Sequence, residues 1–206
     1  MLDAMLDDMT LPAWAPSGQL KPAPEPLLLV QAFVNTKDLD LGTDLLADGA
    51  TAIDWLHLSG LLAPGATASA QDLHAAREAR EGIRALLARN GHGPAVPVDG
   101  LRALAAVARA SQPRLSIGQD GRVQLDPGTD DRLANGLAGL LLIIRDAQRD
   151  GTWGRLKICG KADCLWAFYD RSHSRAGAWC DMASCGNLMK NRNLRARRGS
   201  RSRPAG

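Results

Sequence analysis

The chain has 206 residues, a formal net charge of +3, and 45% hydrophobic and 23% charged residues. This is the composition of a globular protein, not of a disordered or fibrous one. Its longest apolar runs, such as Leu140 to Ile144, fall far short of the ~20 residues that span a bilayer. The N-terminus carries Asp3, Asp7 and Asp8 rather than the basic-then-apolar order of a secretion signal, so a cytoplasmic protein is expected.

In chain order, residues 1–24 are rich in Pro, Asp and Met without periodicity and read as a flexible leader. From Pro26, Leu27–Val30, Phe33 and Val34 make a short apolar helix that stops around Asn35-Thr36. A second helix starts near Thr43 or Thr51, carries Ile53, Trp55, Leu56 and Leu58, and stops at Pro64-Gly65. Ser69 and Asp72 resemble a capping box opening a third helix, which runs through Leu73, Ala76, Ile83 and Leu87 to Asn90-Gly91. A fourth runs from about Asp99 to Ala108. The period then changes to two: Leu115, Ile117, Val123 and Leu125 alternate with polar residues around Gln119-Asp120-Gly121, the pattern of one β-hairpin. Thr129, followed by Asp130 and Asp131, is expected to cap a last helix with Leu133, Leu137, Leu140 and Ile144 on its buried face, ending at Gly151. The expected fold is mainly α: a helical domain with one β-hairpin over 25–152, a four-cysteine zinc module with a basic helix over 153–198, and a disordered basic tail over 199–206. With aromatics at 4%, the main core must be built from Leu, Ala, Ile and Val. Trp55 and Arg77 read as a packed ring and a solvated charge.

Charge divides the same way. Trp153 to Gly206 holds 12 Lys+Arg against 3 Asp+Glu, a balance of +9, leaving 13 basic and 19 acidic residues, or −6, for the rest. Such asymmetry points to an anionic partner for the basic part. All four cysteines lie there, as Cys159-x4-Cys164 and Cys180-x4-Cys185 with fifteen residues between the pairs. That spacing suits one tetrahedral zinc, and four thiolates leave no open position, so the site reads as structural. The competing readings are unrelated buried or disulfide-bonded cysteines, or His173 replacing one cysteine as ligand. The spacing is not the redox Cys-x-x-Cys. Trp166, Phe168, Tyr169 and Trp179 supply the bulk that so small a module needs. Gly186 is expected to take a positive φ and Asn187 to cap a short helix. From Lys190 onward Lys190, Arg192, Arg195, Arg197, Arg198, Arg201 and Arg203 meet no acid.

The run Leu156-Lys157-Ile158-Cys159, Cys164-Leu165-Trp166-Ala167-Phe168-Tyr169-Asp170-Arg171-Ser172, Trp179-Cys180-Asp181-Met182 and Cys185-Gly186-Asn187 resembles the CGNR zinc-finger family. Upstream, Phe33-Val34-Asn35-Thr36, Asp54-Trp55-Leu56 and Gly60-Leu61-Leu62 are similar to its companion, the ABATE domain. The resemblance implies a bacterial transcription regulator whose zinc finger binds DNA and whose helical domain senses a ligand or stress signal. Leu188 stands where the family carries its naming arginine, and Gly177 and Ala178 replace two further arginines. The expected metal ligands are Cys159, Cys164, Cys180 and Cys185, holding one Zn2+; Lys190, Arg192, Arg195, Arg197 and Arg198 are the expected DNA contacts. A homodimer would suit a DNA-binding regulator. The alternatives are a zinc-stabilised protein-interaction module and an RNA binder. No glycine-rich phosphate loop, open metal position or activated nucleophile points to an enzyme.

Overall fold

The computed structural model describes residues 11–91, 100–128 and 132–201, with the backbone alone for residues 193 and 196–201. The chain is mainly α-helical, with α1 (Leu27–Asn35), α2 (Gly49–Leu58), α3 (Ala70–Ala88), α4 (Gly100–Ala110), α5 (Leu133–Asp150) and α6 (Asn187–Arg201). Three antiparallel strand pairs interrupt the helices: β1–β2 (Lys37–Asp38 with Thr43–Asp44), β3–β4 (Arg114–Ile117 with Val123–Asp126) and β5–β6 (Leu156–Ile158 with Ala167–Tyr169).

Sequence and structure agree closely where local chemistry dictates the element. Ser69 accepts from the amide of Asp72, and the Asp72 carboxylate accepts from the amide of Ser69, so both halves of the capping box close. The expected β3–β4 hairpin forms, with Leu115 opposite Leu125 and Ile117 opposite Val123. Its apolar face stays open to solvent, however, with Leu115 76%, Ile117 78% and Val123 71% exposed. Gly151 ends α5 with φ +80. The expected caps at Thr129, Asp130 and Asp131, and the expected start at Asp99, lie outside the described residues.

Elsewhere the structure corrects the expectation. Thr43 does not begin a helix; it pairs with Asp38 in β1–β2, and α2 starts at Gly49, where Asp48 accepts from the amide of Thr51. That helix ends at Leu58, well before Pro64, because Gly60 takes a left-handed φ of +72. The stretch expected as a leader is docked from residue 14 onward. The Trp55 indole donates to the carbonyl of Trp14 at 2.8 Å, the amide of Tyr169 donates to the carbonyl of Lys21, and Gln19 and Ala23 are buried.

The core of the helical part includes Phe33, Leu56, Leu62, Ile83, Leu87 and Leu140, which are almost entirely removed from water. Leu156, Ile158, Ala167 and Tyr169 of β5–β6 belong to the same apolar cluster. The cysteine module therefore shares the helical core, and this sets where the metal site sits. Two arginines of α3 are also buried: Arg80, 1% exposed, reaches both oxygens of Asp44 at 2.6 and 2.8 Å, and Arg84, 2% exposed, donates to the carbonyl of Val34 and to Glu81. No helix among the described residues is long and apolar enough to cross a membrane.

Candidate metal centre and basic helix

The β5–β6 pair delivers the first two cysteines. Cys159 leaves β5 and Cys164 precedes β6, and the loop between them closes as the amides of Cys164 and Leu165 turn back to the carbonyl of Lys161. Leu165 takes φ +51 to bring the chain onto β6, where the Cys159 amide donates to the carbonyl of Trp166. Of the second pair, Cys180 lies just before a π-turn, Met182–Gly186, and Cys185 within it; the turn runs directly into α6. Its cap is Asp181, which accepts from the amides of Ala183 and Ser184, and not Asn187, which lies already inside the helix. Gly186 does not have a positive φ either. Glycine suits it through close packing: a Cβ there would lie 2.4 Å from Met182 Sδ and 3.2 Å from Trp179 Cδ1.

All four thiol sulfurs lie within 4.8 Å of one another. The sulfurs of Cys164 and Cys180 are 3.7 Å apart, and those of Cys180 and Cys185 are 3.8 Å apart. A disulfide needs about 2.05 Å. A tetrahedron with Zn–S bonds of about 2.3 Å has edges of about 3.8 Å. The donor set thus fits one structural zinc: four soft sulfurs at tetrahedral spacing, three of them buried. Hydrogen bonds from the Cys164 and Cys180 thiols hold the Cys159 thiol far below its ordinary range, with the amides of Cys180 and Lys161 adding to the effect. The Cys164 and Cys180 thiols are pushed up in response, chiefly by the same contact with Cys159. Sulfurs packed this closely ionise together only when a cation neutralises them.

Trp166 and Trp179 pack against the cysteines, and Phe168 is buried under the Lys21 ammonium, 5.1 Å from the ring centroid. A cleft of about 310 Å3 flanks the cluster, lined in part by Lys21, Asp38, Asp40, Trp166 and the half-buried Cys180. None of the described histidines joins the cysteines. His57 bonds the carbonyl of Ala66, His74 lies beside Glu78, His173 is exposed, and His92 is outside the described residues.

Several buried polar contacts of this region carry no obvious sequence signal. Asn35 pairs with the main chain of Ala167, Gln31 donates to the same carbonyl at 3.1 Å, and Asn90 donates to the carbonyls of Trp153 and Leu156. Within the module, Lys157 and Asp170, 3% and 4% exposed, form an ion pair at 2.9 Å. Burial pushes the Asp170 carboxyl up. Hydrogen bonds from Ser172, Lys157 and the Gly177 amide outweigh this and hold it well below the usual carboxylate range. The hint is that Asn35, Lys157, Asp170 and Ser172 belong to the runs quoted for the resemblance.

Of the expected nucleic-acid contacts, Lys190, Arg192 and Arg195 are exposed on α6; Arg197 and Arg198 continue the same helix, and their side chains lie outside the described residues. Leu188, also on α6, is 53% exposed. The helix touches mainly the π-turn that leads into it, so it stands out from the metal centre.

Two family models match the chain. One, named ABATE and described as "Putative stress-induced transcription regulator", covers residues 28–148; the other, the CGNR zinc finger, covers 155–198. No curated protein matches it.

Proposed function

Because this chain belongs to the ABATE family and carries a CGNR zinc finger after that domain, we propose that it is a zinc-dependent, DNA-binding transcription regulator. The observation that carries this reading is α6: a helix of 15 residues, free of acidic side chains, rooted in the turn that supplies Cys185 and follows Cys180. Lys190, Arg192 and Arg195 would meet phosphate oxygens, and Arg197 and Arg198 would extend the contact. Guanidinium forks suit phosphates because they donate two parallel hydrogen bonds. Zinc acts by fixing the direction in which α6 leaves the protein. The helical domain is the candidate sensor, and a groove of about 210 Å3 between α3, α4 and α5, lined by Ala75, Val107, Leu133 and Leu137, offers a small apolar effector a place to bind.

The test is fluorescence anisotropy of labelled duplex DNA against the zinc-loaded protein, with and without chelator, at several salt concentrations. Binding that requires zinc and weakens steeply with salt supports the regulator, because phosphate contacts release counterions. Zinc-loaded protein that ignores DNA at low salt rejects it.

A second reading, a zinc-shaped protein-docking module, is favoured by one feature. Met182, Leu188 and Leu194 expose 49%, 53% and 49% of their surface at the π-turn and on α6. It predicts a co-purifying protein partner and no salt-dependent binding of DNA.

A further inference from the structure

Between β6 and Trp179 the chain makes a loop, residues 171–176, in which every side chain is exposed. An exposed loop is ordinarily mobile, yet this one is fixed from beneath. The buried Lys157 ammonium spends all three of its donors there, on Asp170 Oδ2, the carbonyl of Arg175 at 2.6 Å and the carbonyl of Gly177 at 3.3 Å. Asp170 in turn accepts from the amide and hydroxyl of Ser172 through one oxygen and from the amide of Gly177 through the other. Arg155 donates to the carbonyls of Asp170 and Ser172, both at 3.0 Å. Burying an ion pair is a poor way to gain stability, since desolvation offsets most of the attraction. What this pair secures is a single loop geometry.

That geometry holds Arg175 at φ +51, the left-handed region that an arginine seldom occupies. Such strain persists only where its surroundings impose it, and it gathers at functional positions. The Lys157 bond to the Arg175 carbonyl supplies the constraint. The Arg175 guanidinium itself has no hydrogen bond or ion pair among the described residues. Arg171, by contrast, is occupied: it donates to the carbonyl of Pro22 and lies over the Tyr169 ring. A free fork-shaped cation, held out by a strained and rigid backbone, is prepaid in entropy for meeting an anion.

We propose that the 171–176 loop is a second DNA-backbone contact, separate from α6, and that Arg175 binds a phosphate there. This rests on the DNA-binding reading above. No basic run marks the loop, so the charge distribution along the sequence did not disclose it.

Arg175→Gly is the informative variant, because glycine adopts φ +51 without strain and removes only the side chain. Anisotropy titrations of the full chain on duplex DNA should show log K falling with log salt less steeply by about 0.9, with equal weakening on unrelated sequences. Zinc content should be unchanged and the melting temperature equal or higher. Arg175→Lys should restore most of the slope. If Arg175→Gly keeps the wild-type slope, or loses zinc or stability, the loop contact is wrong while the α6 reading stands. If the wild-type chain itself shows no salt-dependent binding, both fall together.

Discussion

Asn35 and Ala167 bond to each other in both directions: Asn35 Nδ2 donates to the Ala167 carbonyl at 2.9 Å, and the Ala167 amide donates to Asn35 Oδ1 at 2.7 Å. One residue ends α1 and the other begins β6, so the Asn35 side chain, with Gln31 as a second donor to the Ala167 carbonyl, completes a buried sheet edge. Asn35→Ala should leave the Ala167 amide unsatisfied, at about 1–3 kcal/mol, while Gln31 still donates to the Ala167 carbonyl. Chemical denaturation followed by tryptophan fluorescence will show this; a loss below about 1 kcal/mol would rule it out.

Removal of the metal should be felt beyond the finger. Native mass spectrometry is expected to find one zinc per chain, lost on chelation or in Cys159→Ser. Because Leu156, Ile158, Ala167 and Tyr169 share the helical core, the helical far-UV signal should melt at a lower temperature without zinc. An unchanged helical melt would mean that the two parts fold independently.

Two glycines make a matched pair. A Cβ at Gly82 would meet the main-chain oxygen of Gly100 at 2.4 Å, where α3 and α4 cross; a Cβ at Gly186 would meet Met182 Sδ at the same 2.4 Å. Backbone cannot step aside, whereas the exposed thioether can. Gly82→Ala should cost about 1–3 kcal/mol or more, as overpacking does, and Gly186→Ala should cost much less. Denaturant midpoints of the two variants decide it.

Asp44 should tie stability to acid. Burial pushes its carboxyl up, but bonds from Arg80 and from the Leu46 amide prevail and hold it below the ordinary value. A carboxyl depressed in the folded state contributes stability above its unfolded pKa of about 3.9, and loses that contribution as pH falls through the lower folded value. Asp44→Asn leaves Arg80 buried without its main partner and should cost about 3 kcal/mol at pH 7. The gap from wild type should narrow below about pH 4. Paired urea melts across pH 7 to 2.5 check the sign, since metal loss in acid affects both chains alike.

The positions that depart from the family arginines should not respond equally. Leu188 is open on α6, and Leu188→Arg should steepen the salt dependence of DNA binding by about 0.9. A Cβ at Gly177 would lie 2.8 Å from Asp170 Cγ, so Gly177→Arg should destabilise the finger and not strengthen binding. Thermal melts and anisotropy on both variants separate these outcomes.

What the sequence disclosed follows from the range of the interactions. The Ser69–Asp72 box, the β3–β4 hairpin and the thiol cluster each rest on residues close in sequence or on a spacing that suits one tetrahedral metal. The role of Gly186 was misread because its constraint is the packing of Met182 and Trp179, which spacing does not report. Arg80, Arg84 and Lys157 look like surface charges in a list of residues; their burial depends on partners 13 to 50 positions away. The β1–β2 pair is two residues per strand, too short for alternation to register. The leader seemed unstructured because proline-rich chain has no period, although Trp14, Gln19, Lys21 and Ala23 find fixed partners.

The shared core of helices and finger turns α6 into a lever. Its 15 residues extend about 22 Å from the metal, and the strands that carry Cys159 and Cys164 on their connecting loop are tied to α1 through Asn35 and to the chain just after α3 through Asn90. A tilt of about 5° at the root of α6 carries the far end by about 2 Å, enough to break register with a groove. A signal received among the helices would then need no hinge to reach the basic end; a slight change in how α1 or α3 rests would be magnified by length alone.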